Sequence, residues 1–199
     1  MARIAFLIER KNYYRLLGPL VDRALQDGWK VECWHDYGQS RRGVKSYEFP
    51  DIEATPSFVH GRPQYVTYQC ARELGQLLGK TAPEIVIALR TPLATLGVGL
   101  SNSRTRWVTT MHSWDFFEIN GPQGILSSDL STVYSDYWCT KGIEYFRKKV
   151  LTDFDEERLK AKMISVGFPE MDQTSLIARE DVRRRWNIPQ DKPVVVLLP

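Results

Sequence analysis

The sequence predicts an α/β protein built on a doubly wound, mostly parallel sheet, and three observations predict it. Ile4-Ala5-Phe6-Leu7-Ile8 is an uninterrupted apolar run, as a strand buried on both faces requires. Apolar residues then fall at Leu16, Leu17, Leu20, Val21, Ala24 and Leu25, the spacing of an amphipathic helix, before Lys30-Val31-Glu32-Cys33-Trp34 opens a second strand. The same alternation recurs further along, which is the pattern of β-α-β units rather than of separate blocks of strands and helices.

Taken in order, Gly28 is the expected stop of the first helix, and Pro19 requires that helix either to start near it or to kink there. Residues 38–63, rich in Gly, Pro, Ser and Arg, form a long loop with one short strand near Tyr47–Phe49. A helix is expected from Pro63 to Leu78 with Gly79 as its stop, then a strand from Ile85 to Leu89. Thr91-Pro92 is an N-cap followed by proline at the first helical position, opening a helix to about Ser101. Strands follow at Trp107–Met111 and Leu130–Tyr134, and Ser135 or Asp136 caps a helix through about Lys149. Met163–Val166 is a short strand ending at Gly167-Phe168-Pro169, Glu180–Trp186 a helix, and Pro193–Leu198 a last strand. These elements divide into a domain over residues 1–178, a polar connector over 179–192, and at 193–199 the first strand of a second domain that this chain lacks.

Composition narrows the function classes. The 199 residues are 43% hydrophobic and 26% charged, the usage of an ordinary globular protein with room for a full core. With 27 basic and 24 acidic residues the net charge is +3, too small for a nucleic-acid binder, and Arg183-Arg184-Arg185 is the solvated face of a helix. Three distant cysteines, Cys33, Cys70 and Cys139, suit a reduced chain and build neither a disulfide framework nor a zinc site. Three scattered histidines with no i, i+4 partner argue against a metal site. The five apolar residues before Glu9 are too few for a signal peptide or a membrane span, so the expected location is cytoplasmic.

Open α/β sheets bind ligands beyond the carboxyl ends of their strands, and that rule selects the candidate site residues. His112 follows the 107–111 strand, and an imidazole titrating near neutral pH can take a hydroxyl proton. Asp115 could orient that ring or act as the base itself, and Glu9, at the mouth of the first strand, is a second candidate base. Arg10, Lys11 and Arg90 could hold a phosphate or an anionic acceptor, aided by the free N–H groups of a helix starting at Thr91. Trp114 could stack on a sugar ring, whereas Trp34, Trp107 and Trp138 belong in the core, and His35 and His60 are structural or solvated. The structural alternative for His112 is a histidine hydrogen-bonded within a loop.

Several segments resemble GT-B glycosyltransferases, nucleotide-sugar enzymes of two Rossmann-like domains. RIAFLIERKNYYRLLGPLVDRALQDGWKVE, with Gly28-Trp29-Lys30-Val31 as its turn, is similar to the first β-α-β of that group, and RWVTTMHSWDFF (Arg106 to Phe117) to its strand-then-histidine element. ISVGFPEMDQ, carrying Gly167, Pro169 and Asp172 as G-x-P-x-x-D, and the later VRRRWNIPQDKPVVVLLP resemble the crossing between the two domains. CDP-glycerol glycerophosphotransferase-like and capsule or surface-carbohydrate synthesis proteins share this tail, although Met111-His112-Ser113 stands where they carry Trp-His-Gly.

The resemblance implies a Rossmann-like N-terminal, acceptor-side half of a GT-B transferase, inactive alone. It further implies a nucleotide-sugar or CDP-glycerol donor bound mainly by the missing domain, and no other cofactor. The acceptor would be a carbohydrate or a polyol phosphate. Peripheral association of the full-length protein with the inner face of the cell membrane would fit that role, and the terminal strand could mediate self-association. Two alternatives stay open: half of a non-hydrolysing nucleotide-sugar 2-epimerase, and a stand-alone α/β ligand-binding module.

Overall fold

The computed structural model describes residues 2–38, 58–98, 104–149, 153–168 and 178–189. Seven parallel strands form one sheet in the order β3-β2-β1-β4-β5-β6-β7: β1 Arg3–Ile8, β2 Lys30–Asp36, β3 Gln64–Tyr68, β4 Ile85–Ala88, β5 Arg106–Thr110, β6 Leu130–Val133 and β7 Met163–Ser165. The helices are α1 Tyr14–Gln26, α2 Ala71–Thr81, α3 Pro92–Leu96, α4 Phe116–Ser127, α5 Asp136–Lys149, α6 Glu156–Lys162 and α7 Arg179–Arg185. The doubly wound parallel sheet expected from the sequence is the sheet observed.

The winding follows from the period of two along β1. Ile4, Phe6 and Ile8 pack on Leu16, Leu17 and Val21 of α1, while Ala5 and Leu7 pack with Trp34, Val86 and Leu74 of α2 on the opposite face. A third cluster joins α4, α5 and α6 to β6 and β7 through Phe116, Phe117, Ile143, Phe146 and Leu159. Phe6 has no exposed surface, so truncating it to alanine would cost about 3–5 kcal/mol. Glu32, also buried, is compensated by Arg3 at 3.4 Å and by the indole N–H of Trp34 at 2.9 Å.

Five expectations are corrected. Residues 64–68 are β3 and not the start of a helix: Tyr65, Val66, Thr67 and Tyr68 are all aromatic or β-branched, and the segment pairs with β2. The helix therefore begins at Ala71, and Gly79 lies inside it; the stop is Ala82, in the left-handed region at φ 42°. Helix α3 ends at Leu96, closed by Gly97 at φ 73°, rather than continuing to about Ser101. Helices α4 and α6 were not anticipated; Gly121 and Pro122 interrupt α4 and hide its period. Arg183 is 5% exposed and donates to the Pro189 carbonyl, so only its two neighbours are solvated. Helix α1 starts at Tyr14 and contains Pro19. The strand near Tyr47–Phe49, Pro169 and Asp172, and the terminal strand at 193–199 lie outside the described residues.

Candidate functional site

The strand order reverses direction between β1 and β4, and at such a switch point the loops beyond the strand ends part to leave a crevice. Glu9 follows β1 directly, and Arg90 stands two residues beyond β4. Together with Asp36 at the end of β2, Tyr68 at the end of β3, and Thr95 of α3 they line a pocket of about 220 Å³. Gly38 forms part of its wall, because a Cβ there would sit 1.9 Å from the Gln69 carbonyl oxygen. The Gly38 N–H donates to Asp36 at 2.9 Å and fixes that carboxylate.

Glu9 is 7% exposed, and its carboxyl is pushed up to about 7 by burial, with Arg90 opposing, Asp36 adding to the rise and Arg10 opposing again. It therefore exchanges a proton near neutral pH. Tyr68 is 4% exposed, and burial, with Asp36 and Glu9 nearby, holds its phenol protonated as a donor. The hydroxyls of Tyr68 and Thr95 are buried with no hydrogen-bond partner among the described residues. Each such orphan costs about 1–3 kcal/mol while unpaired, so both hydroxyls are open to a polar partner.

His112 stands beside this pocket. It is half-buried two residues beyond β5, its ring centroid 5.7 Å from that of Tyr13, and its Nδ1 is buried with no partner among the described residues. Burial lowers its pKa; Asp115 opposes, and Arg10 and Arg90 push it lower. The imidazole is thus neutral at pH 7 and can accept a proton. Asp115 is itself held by the Ser113 hydroxyl, which donates to Oδ1. Arg10 and Arg90 act on both Glu9 and His112, so the two parts form one electrostatic unit.

Of the residues singled out from the sequence, Glu9 and Arg90 line the pocket, Arg10 and His112 stand within electrostatic reach of them, and Asp115 acts on His112. Lys11 is exposed in a 3-10 turn, Lys11–Tyr13, outside the pocket. Thr91 is fully buried and spends its hydroxyl on capping α3, accepting from the Ala94 N–H at 3.3 Å. The N–H groups expected to be free there are taken: Thr91 N–H donates to Asn120 Oδ1 at 3.0 Å and Leu93 N–H to Ser127 Oγ at 3.3 Å. The anion site expected at this helix start is corrected accordingly. Trp114 is 74% exposed and lines a different cleft, between α4 and α5. His35 is buried against Tyr14, and His60 pairs with Asp22 at 2.8 Å, both structural. Trp34 and Trp107 are fully buried core residues.

Asp36, Tyr68, Thr95 and Asn120 were missed. Asp36 closes a strand and was open to the strand-end rule; Tyr68 was hidden by the helix expected over its segment. Asn120, buried in α4, positions the Arg90-Thr91 corner, and the indole N–H of Trp107 holds the Arg90 carbonyl at 3.0 Å. Among the described residues no group of three His, Cys, Asp or Glu side chains is placed to hold a metal, and no helix is long and apolar enough to cross a membrane.

No family model matches this chain, and no curated protein does. Among solved structures, UDP-GlcNAc 2-epimerase from Methanocaldococcus jannaschii is 13% identical with a TM-score of 0.46, over 94% of this chain and 52% of that one. Anabaena Alr3699/HepE, solved in complex with UDP and glucose, is 13% identical with a TM-score of 0.49, over 94% of this chain and 50% of that one. The chain spans about half the length of each.

Proposed function

We propose that this chain is the acceptor-side half of a two-domain GT-B transferase in surface carbohydrate synthesis, working on the cytoplasmic side of the membrane. Its donor is a nucleotide sugar or CDP-glycerol, held mainly by a second domain, so these 199 residues alone turn over little. The observation that carries the reading is a half-buried imidazole, His112, within electrostatic reach of Arg10 and of Arg90, the guanidinium that lines the crevice at the β1–β4 switch point.

In the proposed reaction His112 takes the proton of an acceptor hydroxyl as that oxygen bonds to the transferred group. The bond from that group to the leaving nucleotide breaks, and its electron pair stays on the departing phosphate oxygen. Arg10 and Arg90 offset that negative charge, and Asp115 steadies the imidazolium. Glu9, Asp36, Tyr68 and Thr95 hydrogen-bond the other hydroxyls of the acceptor, which fits a carbohydrate better than a polyol phosphate because two carboxyl groups face the pocket. Lys11 contributes long-range attraction for the anionic donor.

The test is the His112→Ala variant of the full-length enzyme, assayed with nucleotide-sugar and CDP-glycerol donors. The expected loss in kcat is about 10²–10⁴-fold with unchanged thermal stability. The wild-type rate should fall on the acid side with its midpoint below the ordinary histidine value of 6.5, because burial lowers the His112 pKa. A fall centred near 7, with Glu9→Gln losing turnover at every pH, would make Glu9 the base. Wild-type turnover by His112→Ala at every pH sinks the assignment of His112. Donor conversion without an acceptor would favour the epimerase reading instead.

A further inference from the structure

The cleft between α4 and α5 is separate from the crevice and has its own chemistry. Its volume is about 340 Å³, within the usual range of small-molecule sites, about 300–1,000 Å³. Trp114, Phe117, Tyr137, Trp138 and Tyr145 line it. Trp114 is 74% exposed and Tyr137 61% exposed, whereas Phe116, Phe117 and Phe146 nearby are buried. Large apolar faces left in water around a concavity mark a binding surface.

The charges narrow the ligand. Lys141 and Lys148 are balanced by Glu118 and Glu144, so the lining carries no net charge. Lys141 is already engaged, 2.7 Å from Glu144 and 5.5 Å from the centroid of the Tyr137 ring. An anionic polymer or an anionic lipid surface would meet two carboxylates here and no surplus cation. Flat rings beside paired donors and acceptors suit a ligand with one apolar face and a rim of hydroxyls, which describes a pyranose ring. Trp114 stands two residues from His112, on the segment between β5 and α4, so the cleft opens next to the candidate base in sequence.

We propose that the α4–α5 cleft is a carbohydrate subsite for a short run of neutral sugar residues, with Trp114 and Tyr137 as its stacking platforms. The assignment does not depend on the transfer chemistry, since a binding module would use the cleft in the same way.

The test is a titration of the 199-residue chain with maltotetraose, cellotetraose, chitotetraose and mannotetraose, followed by tryptophan fluorescence and saturation-transfer NMR. At least one tetrasaccharide should bind saturably, and Trp114→Ala and Tyr137→Ala should each weaken it about tenfold. Both residues are exposed, so neither variant should unfold the chain. The proposal is overturned if no tetrasaccharide binds by about 10 mM, a concentration that would reveal even millimolar affinity. It is equally overturned if the two aromatic variants bind normally, or if Glu9→Gln alone abolishes binding, which would place the sugar in the crevice. Trp114-dependent binding to phosphatidylcholine–phosphatidylglycerol vesicles without any sugar binding would overturn it in favour of a lipid-facing patch.

Discussion

The imidazole of His35 and the phenol of Tyr14 meet at 2.6 Å between Nε2 and the hydroxyl, tying β2 to α1 in the interior. Burial pulls His35 from its ordinary value of 6.5 down to about 4, so the ring is neutral in the folded protein.

Because its folded pKa lies below its unfolded one, His35 supports the fold fully above pH 6.5 and progressively less as the pH falls from 6.5 to 4. The expected contribution to that loss is about 3 kcal/mol. An NMR titration should find the His35 Cε1 proton shifting near pH 4; a midpoint near 6.5 would remove the argument.

Glu9 has the opposite sign. Its folded pKa is raised to about 7 from 4.5, so it favours the fold below pH 4.5 and that support is lost as the pH rises through 7. Glu9→Gln should therefore stabilise the chain at pH 8, by about 3 kcal/mol as an upper bound, while impairing any reaction in the crevice. Urea unfolding of the two proteins at pH 8 and pH 4.5 checks this, with the gain expected at pH 8 alone. It also follows that wild-type stability changes little between pH 4.5 and 6.5, where the two residues offset each other, and that Glu9→Gln exposes the slope due to His35.

Gly142 in α5 faces the buried ring of Phe117, and a Cβ there would lie 2.3 Å from Cε1. Phe117 is itself wedged between Phe116 and Phe146, with centroids at 5.3 and 5.8 Å, so it has little room to retreat. Gly142→Ala should destabilise by about 1–3 kcal/mol despite the better helix propensity of alanine. Equal or higher thermal stability would show that the ring moves freely.

Asn120 accepts from the Thr91 N–H and donates to the Phe116 carbonyl at 2.8 Å, both in the interior. Asn120→Ala should cost about 1–3 kcal/mol and, in the full-length enzyme, raise KM more than it lowers kcat, because the Arg90-Thr91 corner loses its anchor. Unchanged KM with the expected loss of stability would confine Asn120 to the fold.

What could be read from the chain depended on burial. Ile4–Ile8 and Ile85–Leu89 announce themselves because strands covered on both faces must be apolar at every position. Gln64–Tyr68, at the sheet edge, is polar at Gln64 and Thr67, so it lacks the continuous apolar run of a buried strand and merges in sequence with the helix that follows. For the crevice, the strand-end rule found Glu9, Arg90 and His112, because it needs only the position of each strand. The use of Thr91 was beyond reach, since its N–H partner and that of Leu93 lie on α4, a helix masked by Gly121 and Pro122.

The sheet order also sets a timetable for synthesis. Ile4 of β1 is in register with Val31 on one side and with Ile85 on the other. On a ribosome adding about 5–20 residues per second, β2 reaches β1 within seconds, whereas the β4 partner arrives several seconds later still. In that interval one edge of β1, apolar at every position from Ile4 to Ile8, is unpaired in the nascent protein. Nearby chaperones, or another nascent chain carrying the same strand, can then compete for that edge.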